Sequence, residues 1–317
     1  MHGFEGVAES PAIRRLLDQA SQFAKVPRPI LIRGERGTGK ELLARYVHQQ
    51  SPRTGKPFVT INCAAFNDEL LNAEMYGAEK GAYTGAQASR EGRLEQAHTG
   101  SLFMDEIGNM SMSFQETILR VLEYQEFHRV GGTRSIKVDV RLISATNADL
   151  EEMMENGRFR PDLYDRISFA VLQLPPLRQR REDIPHLVVH IVKQLHAEIP
   201  NLLAKRFSRQ AVEAMMDYYW PGNIRELRNV VERVYVFGLD DEIRVEALPP
   251  EITSSTTAPR PIANSVEGFH EQVEAFKQHL ILNTLATCKG NQREAARQLQ
   301  MTYDQFRHFY RKYSTCD

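Results

Sequence analysis

The sequence predicts an α/β protein in which a core built on a parallel β-sheet is followed by a smaller helical region. Apolar runs rich in β-forming residues alternate with helical patterns over roughly the first 170 residues, which is typical of a parallel sheet covered by helices. After LPPLRQR (Leu174–Arg180) the pattern becomes only helical. A glycine-rich turn joins the first apolar run to a helix, an arrangement found at phosphate-binding sites.

The predicted elements follow one another in a regular order. The predicted strands are Pro29–Arg33, Phe58–Ile61, Ser101–Met104 and Val138–Ala145, with helical patterns at Glu41–His48 and Ser113–Leu122. The later helical segments, which we expect to form a small all-helical domain, are Ile184–Ile199, Ser208–Tyr218 and Asn223–Tyr235. Pro249–Asn264 is rich in Pro, Ser and Thr, which indicates a flexible linker before helical structure resumes.

Net charge, cysteine content and the lack of long apolar runs disfavour several classes of protein. The net charge of the 317 residues is −1, so any contact with DNA requires a local basic surface. The three cysteines are odd in number and lack CxxC spacing, which disfavours a disulfide framework and a zinc site. The chain shows neither a signal peptide nor a run of about 18 apolar residues, so we expect a cytoplasmic protein without a membrane segment.

The sequence GERGTGKE has the spacing of a P-loop. We expect its residues to bind nucleotide: Gly34, Glu35, Arg36, Gly37, Thr38, Gly39, Lys40 and Glu41. Glycines let backbone N–H groups turn around a phosphate, and Lys40 reaches the β- and γ-phosphates. The alternative, a glycine-rich turn that happens to precede a lysine, is disfavoured by the strand before it and the helix after it. Glu41 stands where most P-loops carry the hydroxyl that binds Mg²⁺.

Acidic and polar residues follow two later strands. Asp105 and Glu106 end the strand in SLFMDE, where Asp105 is placed to hold Mg²⁺ and Glu106 to polarise the attacking water. Solvated strand ends also carry such acids, but their pairing with a P-loop favours hydrolysis. Asn147, in SATN, is placed either to orient that water or sense the γ-phosphate, or simply to form a turn.

Together these motifs resemble the AAA+ domain of the sigma-54-dependent activators, also called bacterial enhancer-binding proteins, and the resemblance runs from about Gly3 to Tyr313. GERGTGKE is similar to the P-loop of that family, in which glutamate normally follows the lysine. MYGAEKGAYTGA resembles the family's signature loop, with Tyr83 in place of the phenylalanine of GAFTGA. TGSLFMDEI, SATNADL, FRPDLYDRI and WPGNIRELRN resemble Walker B, sensor I, the arginine-finger segment and sensor II.

The resemblance also implies roles for single residues. Beyond the P-loop and the two acids, it implies functional roles near the nucleotide for Asn62, Thr146, Asn147, Arg160, Arg166 and Arg225. Asn62 matches the asparagine that pairs with the Walker B glutamate, and Arg225 matches the sensor II arginine. Arg160 and Arg166 match fingers that act on the nucleotide of an adjacent subunit; surface salt bridging is the alternative for both. The residues implied to contact sigma-54 are Gly81, Ala82, Tyr83, Thr84, Gly85 and Ala86.

The segment Gly290–Tyr313 divides into two helices separated by a short turn. Asn291 with Glu294, and Thr302 with Gln305, form plausible capping pairs. Ala295, Ala296 and Leu299 are expected to pack against Phe306, Tyr310 and Tyr313. Residues 288–317 carry six Lys/Arg against three acids, which makes this end basic.

This segment resembles the Fis-type helix-turn-helix, with Gln300 where the motif often has glycine. The residues then expected to face DNA are Tyr303, Asp304, Gln305, Arg307, His308 and Arg311. A three-helix packing module with a solvated basic face is the alternative.

These observations predict an ATP- and Mg²⁺-dependent transcription activator. It would bind enhancer DNA and, as a homo-oligomeric ring such as a hexamer, remodel the sigma-54 RNA polymerase holoenzyme. The predicted layout is an AAA+ α/β subdomain (1–172), a helical lid (173–246), a linker (247–265) and a Fis-type helix-turn-helix domain (266–317). The lack of a preceding regulatory domain resembles the phage-shock-type activators, which an inhibitory protein controls in trans.

Two other functions remain open from the sequence. An AAA+ unfoldase would carry an aromatic pore loop elsewhere and lack the basic terminal module. A DNA-binding regulator that does not activate sigma-54 would lack the signature loop or the catalytic acids.

Overall fold

The computed structural model describes residues 10–82, 88–253, 277, 281, 284–285, 288, 291–299 and 301–314, without the side chains of residues 304, 308, 311, 313 and 314. The chain divides into two units, residues 1–255 and 256–317. In the described residues no helix has the length and apolar character needed to cross a membrane.

The first unit is built on a parallel sheet. Its described strands are β1 Ile30–Arg33, β2 Phe58–Asn62, β3 Gly77–Ala78, β4 Arg90–Glu91, β5 Ser101–Asp105, β6 Glu126–His128, β7 Ser135–Lys137, β8 Arg141–Thr146, β9 Ala170–Gln173, β10 Arg206–Phe207 and β11 Glu242–Ile243. The five-stranded sheet has the order β2-β5-β8-β1-β9, and every pairing in it is parallel. β8 is buried at every position, as expected of a central strand covered on both faces.

The four predicted strands of this sheet are confirmed, but the edge strand β9 was missed. Along β9, Ala170 and Leu172 are buried whereas Phe169 and Val171 are 61% and 41% exposed. Such a short run, half of it facing solvent, gives a weak sequence signal, and its place in the sheet comes from pairing with β1.

Helices cover both faces of the sheet. In the core they are α1 Pro11–Ala24, α2 Lys40–Gln49, α3 Asp68–Tyr76, α4 Arg93–Gln96, α5 Met112–Tyr124, α6 Leu150–Glu155 and α7 Pro161–Ile167. The buried residues of α1 and α2 pack with Ile30, Ile32 and Phe103 on one face. Those of α3, α5 and α7 pack with Leu31, Leu102 and Met104 on the other.

The lid follows as a separate hydrophobic cluster around Trp220 and Tyr235. Its helices are α8 Ile184–Glu198, α9 Arg209–Asp217, α10 Asn223–Phe237 and α11 Pro250–Thr253. The prediction of a purely helical region is wrong in one detail, because β10 and β11 form a short parallel pair here. Leu248 and Ile252, which lie beyond the predicted linker start at residue 247, are buried in the lid cluster, since their apolar side chains gain more from packing than from solvent.

The second unit contains α12 Gln292–Gln298 and α13 Tyr303–Ser314. Ala295, Ala296 and Phe306 are buried together, with Leu299 and Tyr310 packed against them. The predicted packing is thereby confirmed, except at Tyr313, whose side chain lies outside the described part.

Candidate functional site

The P-loop connects β1 to α2 at the carboxyl edge of the sheet. Gly37 and Gly39 have φ angles of 75° and 103°, a region that favours glycine, and Gly39 is the N-cap of α2. The first N–H groups of a helix lack partners within it and attract anions. The loop therefore has the geometry of a phosphate cradle.

Lys40, the first residue of α2, keeps its ammonium group inside this loop. Its Nζ donates to the carbonyls of Gly34 at 3.0 Å and Glu35 at 3.3 Å, and lies 3.9 Å from Oε1 of Glu106. Burial lowers the pKa of Lys40, an effect that the carboxylates of Glu106 and Asp105 oppose. A buried cation thus lies between the loop and the acidic strand end.

The two acids lie at the end of β5, beside β8 and one strand removed from the P-loop strand β1. Oδ1 of Asp105 accepts a hydrogen bond from the N–H of Glu106 at 2.9 Å. Burial raises the pKa of Asp105, and the neighbouring Glu106 carboxylate raises it further. Asp105 therefore carries an incompletely balanced negative charge, which suits a carboxylate that binds a cation.

Two asparagines, Asn62 and Asn147, lie at the ends of the strands on either side of β5. With its amide nitrogen turned toward Glu106, Asn147 donates to both carboxylate oxygens, the longer contact being 3.3 Å. Asn62 lies opposite Asp105 in the β2–β5 register, and its Oδ1 accepts from the N–H of Ala64 at 2.8 Å. Asn147 thus contacts the Glu106 carboxylate, whereas the Asn62 side chain closes its own turn, and the pairing of Asn62 with Glu106 stays a prediction.

Thr146 has a structural place beside the P-loop. It is buried, its hydroxyl accepts from the N–H of Ala148 at 3.0 Å, and its carbonyl accepts from the N–H of Gly34 at 3.2 Å. Glu41 is exposed and bound by Arg45, with Nη2 2.7 Å from Oε1. Neither side chain is turned into the loop.

The lid contacts the P-loop directly. The N–H of Ile224 donates to the carbonyl of Gly37 at 2.9 Å, and Nη2 of Arg180 donates to the carbonyl of Thr38 at 2.8 Å. Arg225 and Arg36 line one cleft between loop and lid. Arg225 therefore lies beside the P-loop.

The two candidate finger arginines lie at the two ends of α7: Arg160 is its N-cap and Arg166 is in its last turn. Arg160 forms a two-pronged ion pair with Asp162, with Nη2 2.7 Å from Oδ2. Arg166 donates to the carbonyl of Leu122 at 2.9 Å and lines a cleft with Pro27 and Pro29, which precede β1 at the edge opposite the P-loop. Each side chain is thus bound by a group that does not belong to the P-loop.

The signature loop connects β3 to β4, which pair as an antiparallel hairpin. Gly81 has a φ of 83° and Ala82 follows it; Tyr83, Thr84, Gly85 and Ala86 lie outside the described residues. On the described residues that flank the loop, Arg129 donates to Glu79, Ser89 and Glu95, the shortest contacts being 2.7 Å. Sequence reasoning missed this anchor, because the HRVGG in which it occurs has no spacing that marks an ion pair.

The candidate DNA-binding residues lie along α13. The predicted cap is confirmed: Thr302 Oγ1 accepts from the Gln305 N–H at 3.3 Å and Gln305 Oε1 accepts from the Thr302 N–H at 3.0 Å. This cap occupies the Gln305 side chain. Tyr303 is 39% exposed, with the Arg293 guanidinium 5.7 Å from its ring centre, and Arg307 is exposed. The side chains of Asp304, His308 and Arg311, and all of Gln300, lie outside the described part.

At the start of α12, Asn291 accepts from the N–H groups of Arg293 and Glu294. Glu294 itself pairs with Arg297 at 3.4 Å. The N-cap is thus confirmed for Asn291.

Three family models match successive parts of the chain. The Sigma-54 interaction domain matches residues 7–173, the AAA+ ATPase lid domain residues 178–265, and a model of the Fis family of bacterial regulatory proteins residues 272–308.

Curated relatives and solved structures agree with these matches. The Psp operon transcriptional activator of Escherichia coli (strain K12) is 44% identical over 97% of each chain. The ZraR regulatory protein of the same strain is 46% identical over 94% of this chain and 66% of its own length. The crystal structure of NtrX from Brucella abortus in complex with ATP has a TM-score of 0.71 at 35% identity, covering 97% of this chain and 68% of that one. This chain therefore belongs to the family of sigma-54-dependent transcriptional activators, with an AAA+ sigma-54 interaction domain, a lid and a Fis-type helix-turn-helix.

Proposed function

We propose that the protein hydrolyses ATP and uses the reaction to remodel the sigma-54 RNA polymerase closed complex into an open complex. The observation that carries this proposal is the position of Glu106, which lies between Lys40 and Asn147 at the carboxyl edge of the sheet. A base beside a phosphate cradle has the arrangement needed to direct water at a γ-phosphate. The ATP-bound structure of the relative NtrX supports the choice of nucleotide.

The residues at this edge of the sheet have different proposed roles in ATP binding and hydrolysis. The P-loop N–H groups and Lys40 bind the β- and γ-phosphates, and the Glu106 carboxylate accepts a proton from the attacking water. Asn147 holds that carboxylate in place. Asn62, opposite Asp105, keeps a proposed catalytic role as a second amide at this edge, and Thr146 supports the loop through Gly34.

Asp105 is the protein ligand we assign to Mg²⁺. Within the described residues no group of three or more His, Cys, Asp or Glu could hold a metal ion, so this part of the chain offers no cage for a metal made from its own side chains. Magnesium commonly binds through one or two carboxylates together with water and substrate phosphates, and a buried carboxylate with a raised pKa fits that mode. When bound, the ion would neutralise charge on the phosphates.

Arg160 and Arg166 are proposed to complete the site of a neighbouring subunit in a hexameric ring. Both side chains are bound by groups outside their own P-loop, which supports a role in trans, since a finger must reach the γ-phosphate from the opposite side. Arg225, on the lid beside the P-loop, is proposed to respond to the bound nucleotide.

The other partners follow from the remaining elements. The signature loop, residues 81–86, is proposed to contact sigma-54, and α13 to bind enhancer DNA through Tyr303, Arg307 and the side chains beside them. We retain domain boundaries near residues 172 and 265 and place the end of the lid after α11. We also propose a cytoplasmic location. An inhibitory protein acting in trans is proposed to control the activator.

In vitro transcription from a sigma-54 promoter tests this proposal. Open complexes should form with ATP and fail to form with a non-hydrolysable analogue, while sigma-70 promoters stay unaffected. Equal activation with the analogue would contradict a role for hydrolysis.

A further inference from the structure

The side chain of Glu35 belongs to the P-loop but is bound by the lid. Nη1 and Nη2 of Arg178 donate to its two carboxylate oxygens at 2.8 and 2.6 Å, the two-pronged geometry that makes arginine–carboxylate pairs strong and directional. The guanidinium of Arg178 lies 4.7 Å from the ring centre of Tyr219. Glu35 is thus held by a preorganised partner.

Asn223 adds a second connection. It is fully buried, has a φ of 53° and begins α10. Its Nδ2 donates to Oε2 of Glu35 at 3.1 Å and to the carbonyl of Arg36 at 3.0 Å, while its Oδ1 accepts from the N–H of Leu177 at 2.7 Å. One amide therefore connects the P-loop to two segments of the lid.

These bonds form a continuous row. Four consecutive P-loop residues are bound by lid donors: Glu35, Arg36, Gly37 and Thr38. The two backbones also meet closely, because a Cβ on Gly37 would lie 2.3 Å from the carbonyl oxygen of Gly222. Strand β1 and helix α2 fix only the two ends of the loop, so these contacts fix its middle.

We propose that Arg178 and Asn223 are positioning residues for nucleotide binding, which hold the P-loop in its phosphate-binding shape through Glu35. This inference rests on the proposed binding of ATP. A loop with two glycines at positive φ has many alternative shapes, and a loop that is already ordered loses less conformational freedom when the phosphates bind. We call Glu35, Arg178 and Asn223 the lid clasp.

A purely stabilising role would have a different signature. The side chains of Arg178 and Glu35 are 22% and 43% exposed, and ion pairs with such solvent access contribute little to the free energy of unfolding. Loss of the pair should therefore change nucleotide affinity much more than thermal stability.

A double-mutant cycle on the full chain tests the clasp. Binding of ATP with a fluorescent ribose label is measured for the wild type, Glu35→Gln, Arg178→Gln and the double variant, with thermal unfolding of the nucleotide-free proteins alongside. Each single variant should bind on the order of tenfold more weakly. The double variant should bind about as well as either single one, because both changes break one interaction.

Arg209→Gln is the matched control. Arg209 forms an ion pair of similar length with Glu213, Nε to Oε1 at 2.7 Å, on α9, and its loss should leave labelled-ATP affinity unchanged. Unchanged affinity in both single variants, or additive losses in the double variant, would overturn the clasp while wild-type binding still supported the proposed function. Failure of the wild type to bind ATP would instead refute the proposed function itself.

Discussion

Glu106 occupies a conformation that non-glycine residues seldom adopt, with a φ of 55°. Such backbone strain persists where surrounding contacts overdetermine it, and it is concentrated at functional sites. Here the N–H of Glu106 is held by Asp105, and its carboxylate lies beside Lys40 and Asn147. The strained backbone therefore directs the carboxylate toward the P-loop.

Substitutions of Lys40 and Glu106 should have different effects, the first on ATP binding and the second on ATP hydrolysis. We expect Lys40→Ala to abolish ATP binding, because the phosphates lose a buried positive charge. Glu106→Gln should bind ATP normally and lose turnover, because the amide cannot accept a proton from water. Equilibrium binding and phosphate release measure the two effects, and normal hydrolysis by Glu106→Gln would show that another group activates the water.

The charged side chain of Asp105 should lower the stability of the folded chain, although it serves ATP hydrolysis. Its pKa is raised in the folded chain, first by burial and then by Glu106. Between the ordinary Asp pKa of about 3.9 and the raised value, the folded state holds a proton that the unfolded state lacks, so stability falls as pH rises through that window.

At neutral pH, Asp105→Asn should therefore raise the midpoint of thermal unfolding without nucleotide or Mg²⁺. The rise is expected because the substitution removes a charge that burial and the Glu106 carboxylate disfavour in the folded chain. The same variant should lose hydrolysis. Asp241→Asn, at an exposed position, serves as the control. A lower midpoint for Asp105→Asn would contradict the account of its burial.

Among the elements, α13 shows how local sequence starts a helix and tertiary packing orients it. The reciprocal bonds between Thr302 and Gln305 satisfy N–H groups at the first turn, and such caps contribute about 1 kcal/mol. Phe306 is buried in the hydrophobic cluster of the second unit, so its side of the helix packs inward. Arg307, the next residue along the helix, is exposed.

Arg307→Ala should weaken DNA binding without unfolding the second unit. If the contact is to phosphate, affinity should fall for all sequences alike and the salt slope should decrease by about 1. Fluorescence anisotropy across a salt series measures both. Arg120→Ala is a suitable control, because Arg120 lies on α5 and is paired with Glu116. An unchanged slope would place Arg307 away from the DNA backbone.

For the whole molecule, the groups proposed for catalysis are divided between two regions. The P-loop, Asp105, Glu106 and Asn147 meet at one edge of the sheet, whereas Arg166 lies toward the opposite edge. Under the proposed arrangement, a complete site requires a second copy of the chain.

Mixing Arg160→Ala subunits with Glu106→Ala subunits should restore some hydrolysis. In a mixed ring, the normal arginine of one chain completes the P-loop and acids of another, and loss of a finger costs on the order of 10³–10⁵ in rate. Activity per subunit of the wild type should also rise with protein concentration.

The opposing model is a surface ion pair between Arg160 and Asp162, which predicts near-normal turnover for Arg160→Ala alone. Specific activity that stays constant over a hundredfold dilution, without rescue on mixing, would support that model. Asp162→Ala separates the two further, because it removes the ion pair and leaves the arginine available.

The sequence by itself determined the features that depend on local order along the chain. Alternating strands and helices predicted the parallel sheet, glycine spacing predicted the P-loop, and the Thr302–Gln305 pair predicted the start of α13. Only the tertiary structure shows which distant groups meet: Asn147 lies beside Glu106, Arg129 pairs with Glu79 and Glu95, and Leu248 and Ile252 pack into the lid cluster. Asn223 and Glu35 bond across 188 positions of sequence. No local pattern encodes such a contact, because it arises only when separately folded segments pack together.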